Sequence, residues 1–551
     1  MSRLIVLALL TLTWNTTWAQ PSDPAPGDTT LPVPTTAPAD AGDDESDPNA
    51  PAGPPPIEGR EGRQRTELSL DEAIRIALAR NLDLQLEILN AYQTHQDIGI
   101  ASAAFDPVFA TTYSMSNFRQ PTVDTLSGLG STTQILVNPF TAQQGTVGFN
   151  GLFPLGTRWR VEVQDSRSDN PESGFFGFNP RNSTTITAGV TQPLLKDFGY
   201  DVNLADLRIA RENDAVAIEQ LRLQTETVMG SVVDAYWNLY FAYRDLEVKL
   251  SALKEAEQLL EINQGKLDAG LAKEVDVTQA RASIANQNSE IIQAENAISA
   301  AQDTLLDLLN YNDLMREQGT HGAGRALYEH LELILTTPLI FEEYRVDLED
   351  AIALALEERS DLRQAYHAIQ SAQHGYERAK HQVLPTLNLD ATWNQLGLEE
   401  NIGNSFDELF TGRYYSWTVA VNFEYAIGNR AARNERLKSQ AALERAHLDF
   451  ERLRNLAILE VSSAVREIKN AYRTVLARQE QVRLQRDTLD GERERLRVGV
   501  STSFQVLEIQ NDLLEAQSQD LRARVDYQNA ITAYLKAVGL LRNNFGPERR
   551  P

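Results

Sequence analysis

No cysteine occurs among the 551 residues. A disulfide framework, a thiolate metal site and lipid attachment at an N-terminal cysteine are therefore excluded. Positive charge is also scarce. The net charge is −26 with no basic patch, which argues against nucleic acid or an anionic lipid surface as a partner and fits an acidic solvated surface or pore lining. Long apolar runs are missing: after the N-terminal segment nothing approaches the roughly eighteen consecutive apolar residues of a membrane-spanning helix. There is no H-E-x-x-H, P-loop, G-x-S-x-G or paired-carboxylate motif, so no enzyme activity, metal or cofactor is expected. His367, His374 and His381 share one helix face, but sevenfold spacing sets neighbours roughly 10 Å apart, too far for one metal to bind two of them. A solvated face is the simpler reading.

Met1 to Ala19 combines Arg3, an apolar run from Leu4 to Leu12 and Thr17-Trp18-Ala19, and reads as a secretory signal peptide cleaved after Ala19. Residues 20–66 are rich in Pro, Ala and Asp, with Pro54-Pro55-Pro56, and are expected to be a disordered tether. Order then begins at Leu68, where Ser69 and Glu72 form a capping-box pattern before Ala73, Ile74, Ala77 and Leu78. That helix is expected to run to about Ala104. Asp347 caps the same opening 278 residues later (347 − 69), and Pro385 follows Pro107 at that offset (385 − 107).

The longest pattern is helical. Val232, Leu239, Leu246, Leu253, Leu260 and Leu267 keep a heptad, and Val461, Ile468, Val475, Val482, Leu489 and Leu496 repeat it 229 residues on (461 − 232). Asn203 to Asn310 is therefore expected to be a helical hairpin, its first arm roughly 100 Å long. The return arms carry Ala280, Ile284, Ile291, Ala294, Ile298, Ala301 and Leu305, and Leu513, Ala516, Ala523, Tyr527, Ala530 and Tyr534. Two copies of one unit result: repeat 1 at 67–310 and repeat 2 at 346–541, with a connector at 311–345, expected on the outside and holding a short strand at Leu331–Leu335, and a polar, mobile tail at 542–551.

After each proline the period changes to two. Leu387, Leu389, Ala391 and Trp393 alternate with polar residues, as do Trp417, Val419, Val421, Phe423 and Tyr425, with a polar loop expected at Gly397 to Gly412 between them. The first copy has room for a further hairpin, with Trp159, Val161 and Val163 opposite Arg158, Arg160, Glu162 and Gln164. Four strands there and two in the second copy are expected; two in each, with one long decorated loop, is the alternative. So few strands leave open edges in lipid, so several chains must contribute to one barrel.

These features in this order resemble the TolC-like outer-membrane efflux family. The resemblance spans roughly residues 67–541. Its motifs are Leu70-Asp71-Glu72-Ala73-Ile74 and its copy, Ala104-Phe105-Asp106-Pro107, Val383-Leu384-Pro385-Thr386, Gln192-Pro193-Leu194-Leu195, Ile427-Gly428-Asn429-Arg430 and the hairpin tips. The resemblance implies an α+β membrane protein: a homotrimer whose transmembrane β-barrel is continuous with a long antiparallel α-helical, coiled-coil barrel in the periplasm of a Gram-negative type envelope. It also implies a periplasmic adaptor, an inner-membrane transporter and outer-membrane lipid as partners, in efflux or type I secretion.

The family's adaptor contact falls on the tips Ala269, Gly270 and Leu271, and Val498, Gly499 and Val500, where the glycines are equally read as helix C-caps. Its gate would match Asp276 and Glu508, which an ordinary solvated helix face explains as well. Leu496, Ser501 and Gln505 stand where the family would have an aromatic, an arginine and a second acid, so a latch built from those groups is not expected. Trp159, Trp393, Trp417, Phe423 and Tyr425 would face lipid. The rival reading is a soluble periplasmic coiled-coil spacer whose strands form a small sandwich.

Overall fold

The structure, a computed structural model, describes residues 64–123, 135–169, 179–270, 273–311 and 331–545. The signal peptide, most of the tether, Leu271, connector residues 312–330 and the last six residues lie outside the described residues. The chain divides into two compact units, one holding Thr94–Asp214 and Ala368–Ala446, the other Ala215–His367, His447 onward and the described residues before Thr94.

The first unit is built on a six-stranded antiparallel sheet. Its strands are β2 (Val108–Val123), β3 (Ile135–Leu152), β4 (Arg158–Asp169), β5 (Arg181–Pro193), β7 (Thr386–Glu399) and β8 (Tyr415–Glu424), hydrogen-bonded in the order β2-β3-β4-β5-β7-β8. Four strands thus lie between Pro107 and Gly199, and two between Pro385 and Gly428. Each proline stands one residue before a strand, where its missing N–H costs nothing to the ladder.

One expectation fails here. The segment after Gly397 is not a loop: β7 continues to Glu399, and Ile402–Thr411 is a helix, α7, ended by Gly412 at φ 70°. Its Asn and Gly content disguised a helical period in which Ser405 and Leu409, four apart, turn inward and are fully buried on the sheet.

The second unit is helical. Its helices are α1 (Leu70–Arg80), the start of α2 (Leu82–Ser102), most of α3 (Ala205–Asp268), α4 (Glu274–Leu308), α5 (Leu348–Glu358), the start of α6 (Ser360–His381), most of α8 (Arg430–Arg497), α9 (Ser503–Val538) and α10 (Leu541–Phe545). Val232, Leu239, Leu246, Val461, Ile468 and Val475 are buried as the heptad requires, whereas Leu253, Leu260 and Leu267 are only half-buried. Toward the turn the buried line passes to Ala256, Leu259 and Asn263.

Four boundaries differ from the sequence reading. The first helix does not run unbroken to Ala104: Asn81, at ψ 127°, separates α1 from α2, and Arg359, at ψ 124°, separates α5 from α6. Asn81 Nδ2 donates to the Leu308 carbonyl at 3.0 Å, and Arg359 Nη1 to the Ala537 carbonyl at 3.0 Å. These breaks stand 278 residues apart (359 − 81) and their acceptors 229 (537 − 308), the two offsets read from the sequence. The expected tether also ends earlier, because Gln64–Leu68 forms β1, paired in parallel with β6 (Leu331–Leu335). Leu333 and Leu335 are buried in the core, so this part of the connector is not an outer decoration. Finally, the tail begins in α10 rather than as irregular chain.

The core is closed by two tyrosines that satisfy their own hydroxyls. Tyr236 OH donates to the Leu68 carbonyl and accepts from Thr337 N–H, each at 3.1 Å, fixing β1 and β6 to α3. Tyr527 OH donates to the Glu342 carbonyl at 2.7 Å and accepts from Tyr344 N–H at 2.9 Å.

Candidate functional site

Residues directly opposite one another across antiparallel strands share a face. The ladder aligns Phe109, Phe149, Val161, Ala188, Trp393 and Trp417 in one row across all six strands. Phe109 and Phe149 touch, with ring centroids 5.1 Å apart. The row below runs Gly151, Trp159, Val190, Ala391 and Val419, and the row above Thr111, Val147, Val163, Ile186, Gln395 and Tyr415. From the Leu387–Phe423 pair up to the Tyr415 row, this face bears no charged side chain. It stretches about 27 Å along the strand, the scale of the apolar band of a membrane barrel.

The other face is polar. Glu162, Thr187, Asn394 and Ser416 align in one of its rows, Arg160, Thr392 and Thr418 in the next, and Arg158, Thr191 and Asp390 in a third. Trp159, Trp393, Trp417 and Phe423 therefore share one face and Arg158, Arg160 and Glu162 of β4 the other. Tyr425 lies just past the end of β8 and is exposed.

In the second unit, the turns at Gly270 and Gly499 have φ of 74° and 80°. Gly270 N–H bonds the Leu267 carbonyl at 2.8 Å and Val500 N–H bonds that of Arg495 at 3.0 Å, as helix ends with left-handed caps require. Nothing surrounds either glycine closely enough to exclude a side chain, so the backbone angle alone favours glycine. Val275, Val498, Val500 and Phe504 are exposed here without apolar cover.

The expected gate residues are not brought together by contacts. Asp276 Oδ2 accepts from Lys273 N–H at 3.0 Å, a helix-capping bond at the start of α4, and Glu508 is exposed on α9. A buried polar group that does link the hairpins near the tips is Asn263, 1% exposed. Its Nδ2 donates to the Asp276 carbonyl at 3.4 Å, and its Oδ1 accepts from Ser503 Oγ at 2.9 Å. Buried Glu492 accepts from Ser501 Oγ and from Arg495 Nη1, tying the Gly499 turn to its own helix. Ser501 thus has a partner of its own where the family would have an arginine, and Leu496 packs on a small apolar cluster with Leu489 and Val506. An asparagine on the buried line of α3 was the available signal for Asn263.

A cavity of about 510 Å³ in the same unit is lined by Glu226, Arg359, Asp361, Glu460, Glu467 and Lys536 among others. Burial pushes the Glu226 carboxyl up from 4.5 to about 7, against the opposing pull of Arg542, Lys536 and Arg359. The folded state then holds a proton that the unfolded state has released, so stability is full below pH 4.5 and falls as pH rises through 7. Glu226→Gln keeps the group neutral. Thermal melts are expected to show the variant more stable than the parent at pH 7.5, with the difference vanishing near pH 4.5.

A profile of outer membrane efflux proteins matches residues 155–311 and 351–540. The chain belongs to the outer membrane efflux protein family. Among its relatives, the outer membrane efflux protein BepC of Brucella suis is 24% identical over 375 residues, covering 68% of this chain and 75% of BepC. The cation efflux system protein CusC of Escherichia coli is 22% identical, covering 68% and 71%. Solved structures agree in fold: the Campylobacter jejuni CmeC outer membrane channel superposes with a TM-score of 0.61 at 16% identity over 86% of both chains. VceC of Vibrio cholerae gives 0.61 at 17%, covering 85% of this chain and 96% of its own. This family member is an outer-membrane efflux protein, and its relatives are transport proteins rather than enzymes. The soluble spacer reading is set aside by that membership.

Proposed function

We propose that this protein is the exit duct of a tripartite efflux or type I secretion system, assembled as a homotrimer that receives cargo through a periplasmic adaptor from an inner-membrane transporter. The observation that carries this reading is the six-stranded sheet with one apolar face, one polar face and two unpaired edges, β2 and β8. An open edge is not tolerated in lipid, and six antiparallel strands leave edge strands that run in opposite directions, so copies can join β8 to β2 with every pair antiparallel. Three copies of six strands make an eighteen-stranded barrel, a size at which an aqueous lumen remains. The polar face lines that lumen, and Trp159, Trp393, Trp417, Phe423 and Tyr425 meet lipid.

The helical hairpins continue the duct on the periplasmic side and constrict it at their tips. Exposed Val498 and Val500, with Ala269, Gly270, Leu271 and Gly499, are the adaptor's landing surface, and Asp276 and Glu508 contribute negative charge near the constriction. Proline at 499 is incompatible with the positive φ there. Gly499→Pro is expected to abolish export while trimers form at the parental level, and to raise the conductance of reconstituted channels. Unchanged export and unchanged conductance would remove the tips from the mechanism.

A further inference from the structure

Helix α7 carries a feature that the channel reading does not use. Its inner side is fastened to the sheet: Thr184 N–H donates to Ser405 Oγ at 3.0 Å, Ser405 Oγ also lies 3.1 Å from the Gly397 carbonyl, and Gln395 Nε2 donates to the Leu409 carbonyl. A Cβ on Gly397 would collide with the Ser405 carbonyl oxygen, so the glycine is what lets the helix lie this close. The flank next to that buried line is apolar and bare, while Asp407 lies on the side away from the sheet. Ile402, Phe406 and Phe410, spaced four apart on one helix face, are 52%, 38% and 58% exposed, and Tyr414 just beyond the helix is 48% exposed.

The position of the helix identifies what covers that stripe. Thr184 and Gly397 have the same parity as Ile186 and Gln395, so α7 sits on the apolar face of the sheet, not the polar one. It sits one row above the Tyr415 row, where the uncharged band ends. The first carboxylate on that face, Asp165, aligns with Thr184 and accepts from its hydroxyl at 2.9 Å. The helix is thus fixed at the boundary between the apolar band and the polar region beyond it. It packs chiefly on the interior strands β5 and β7, not on the edges β2 and β8 through which another copy would attach. Fully apolar residues on one side, with Asn404 and Asp407 elsewhere on the surface, are the composition of a helix lying in a membrane interface.

We infer that α7 is an interfacial anchor, inserting Ile402, Phe406 and Phe410 at the headgroup–acyl boundary of the membrane around the barrel. This rests on the proposed lipid-facing assignment of the apolar sheet face. The anchor fixes the depth at which the sheet sits, since α7 cannot sink without burying Asp165 and cannot rise without exposing its stripe.

The absence of native cysteine allows a direct test in the full-length protein. Single variants Phe406→Cys, Phe410→Cys, Asn404→Cys and Val419→Cys are labelled with a polarity-sensitive fluorophore and reconstituted in phosphatidylcholine vesicles containing lipids with a nitroxide quencher at a shallow or a deep acyl position. Labels at 406 and 410 are expected to emit blue-shifted and to be quenched more by the shallow nitroxide, the label at 419 more by the deep one, and the label at 404 by neither. Water-like emission at 406 and 410, or blue-shifted emission that neither nitroxide quenches, overturns the anchor, the second result meaning that protein covers the stripe. Quenching at 419 in the same preparation shows that the lipid-facing reading stands while the anchor fails; loss of quenching at 419 removes that reading itself.

Discussion

Val419→Lys is expected to abolish accumulation of the protein in the outer membrane, whereas Thr418→Lys, one residue away, is expected to accumulate normally. Val419 lies in the uncharged face of β8 among Ala391, Val190 and Trp159, and its side chain is exposed. A lysine at the middle of a lipid-facing strand costs about 2–4 kcal/mol per copy, and a factor of ten in partitioning corresponds to about 1.4 kcal/mol. Thr418 points to the face that already carries Arg160 and Glu162, where a cation meets water. Membrane fractionation of the two variants checks the contrast. Equal yields would mean that the two faces of the sheet do not meet different solvents, and Thr418→Lys should in addition move the ion preference of reconstituted channels toward anions.

Arg359→Ala is expected to be the most damaging single substitution in the helical unit. The guanidinium grips Asp361 through two bonds, Nε–Oδ1 at 3.0 Å and Nη2–Oδ2 at 2.7 Å, and reaches Glu460 at 2.8 Å and the Ala537 carbonyl at 3.0 Å. Its side chain is 12% exposed. Removing one partner of such a buried network leaves carboxylates uncompensated, at a cost of about 3–5 kcal/mol where the groups are fully buried and less for the half-exposed Glu460. The same residue closes the break between α5 and α6, so the loss also frees the Ala537 carbonyl. A lowered thermal midpoint with a destabilised α5–α6 junction in hydrogen exchange is the expected result. Arg359→Lys should recover only part of it, because an ammonium cannot form the two-point contact with Asp361. Full stability in Arg359→Ala would show that the cavity is solvated well enough to hold its carboxylates unaided.

The helical seams and strand faces were legible because each is a repeated choice. A single misplaced residue does not erase a heptad from Val232 to Leu246 or an alternation from Tyr415 to Tyr425. The breaks at Asn81 and Arg359 were hidden, since the apolar period continues across them and the reversal depends on side chains reaching carbonyls more than 170 residues away. Helix α7 is hidden for the opposite reason: ten residues give too few turns for a period to stand out, and the contact that fixes it, Ser405 against Gly397 and Thr184, is tertiary. At the tips the turn glycines are legible as caps, but the charge pattern points to the acidic residues and not to Asn263, whose role follows from burial. Asp276 shows the same limit, because a carboxylate three residues into a helix serves as a cap as readily as a pore group.

The closure of the sheet between copies is the claim on which the duct depends. With no cysteine in the parent chain, one can be placed at Thr418 on β8 and a second, in turn, at Ala110, Thr112 or Ser114 on β2, all on the polar face. Oxidation in intact membranes is predicted to give, for at least one of these registers, a ladder on denaturing gels that ends at the covalent trimer and collapses on reduction. Monomer alone at every register, or a ladder ending at another size, would contradict an eighteen-stranded barrel closed by three copies.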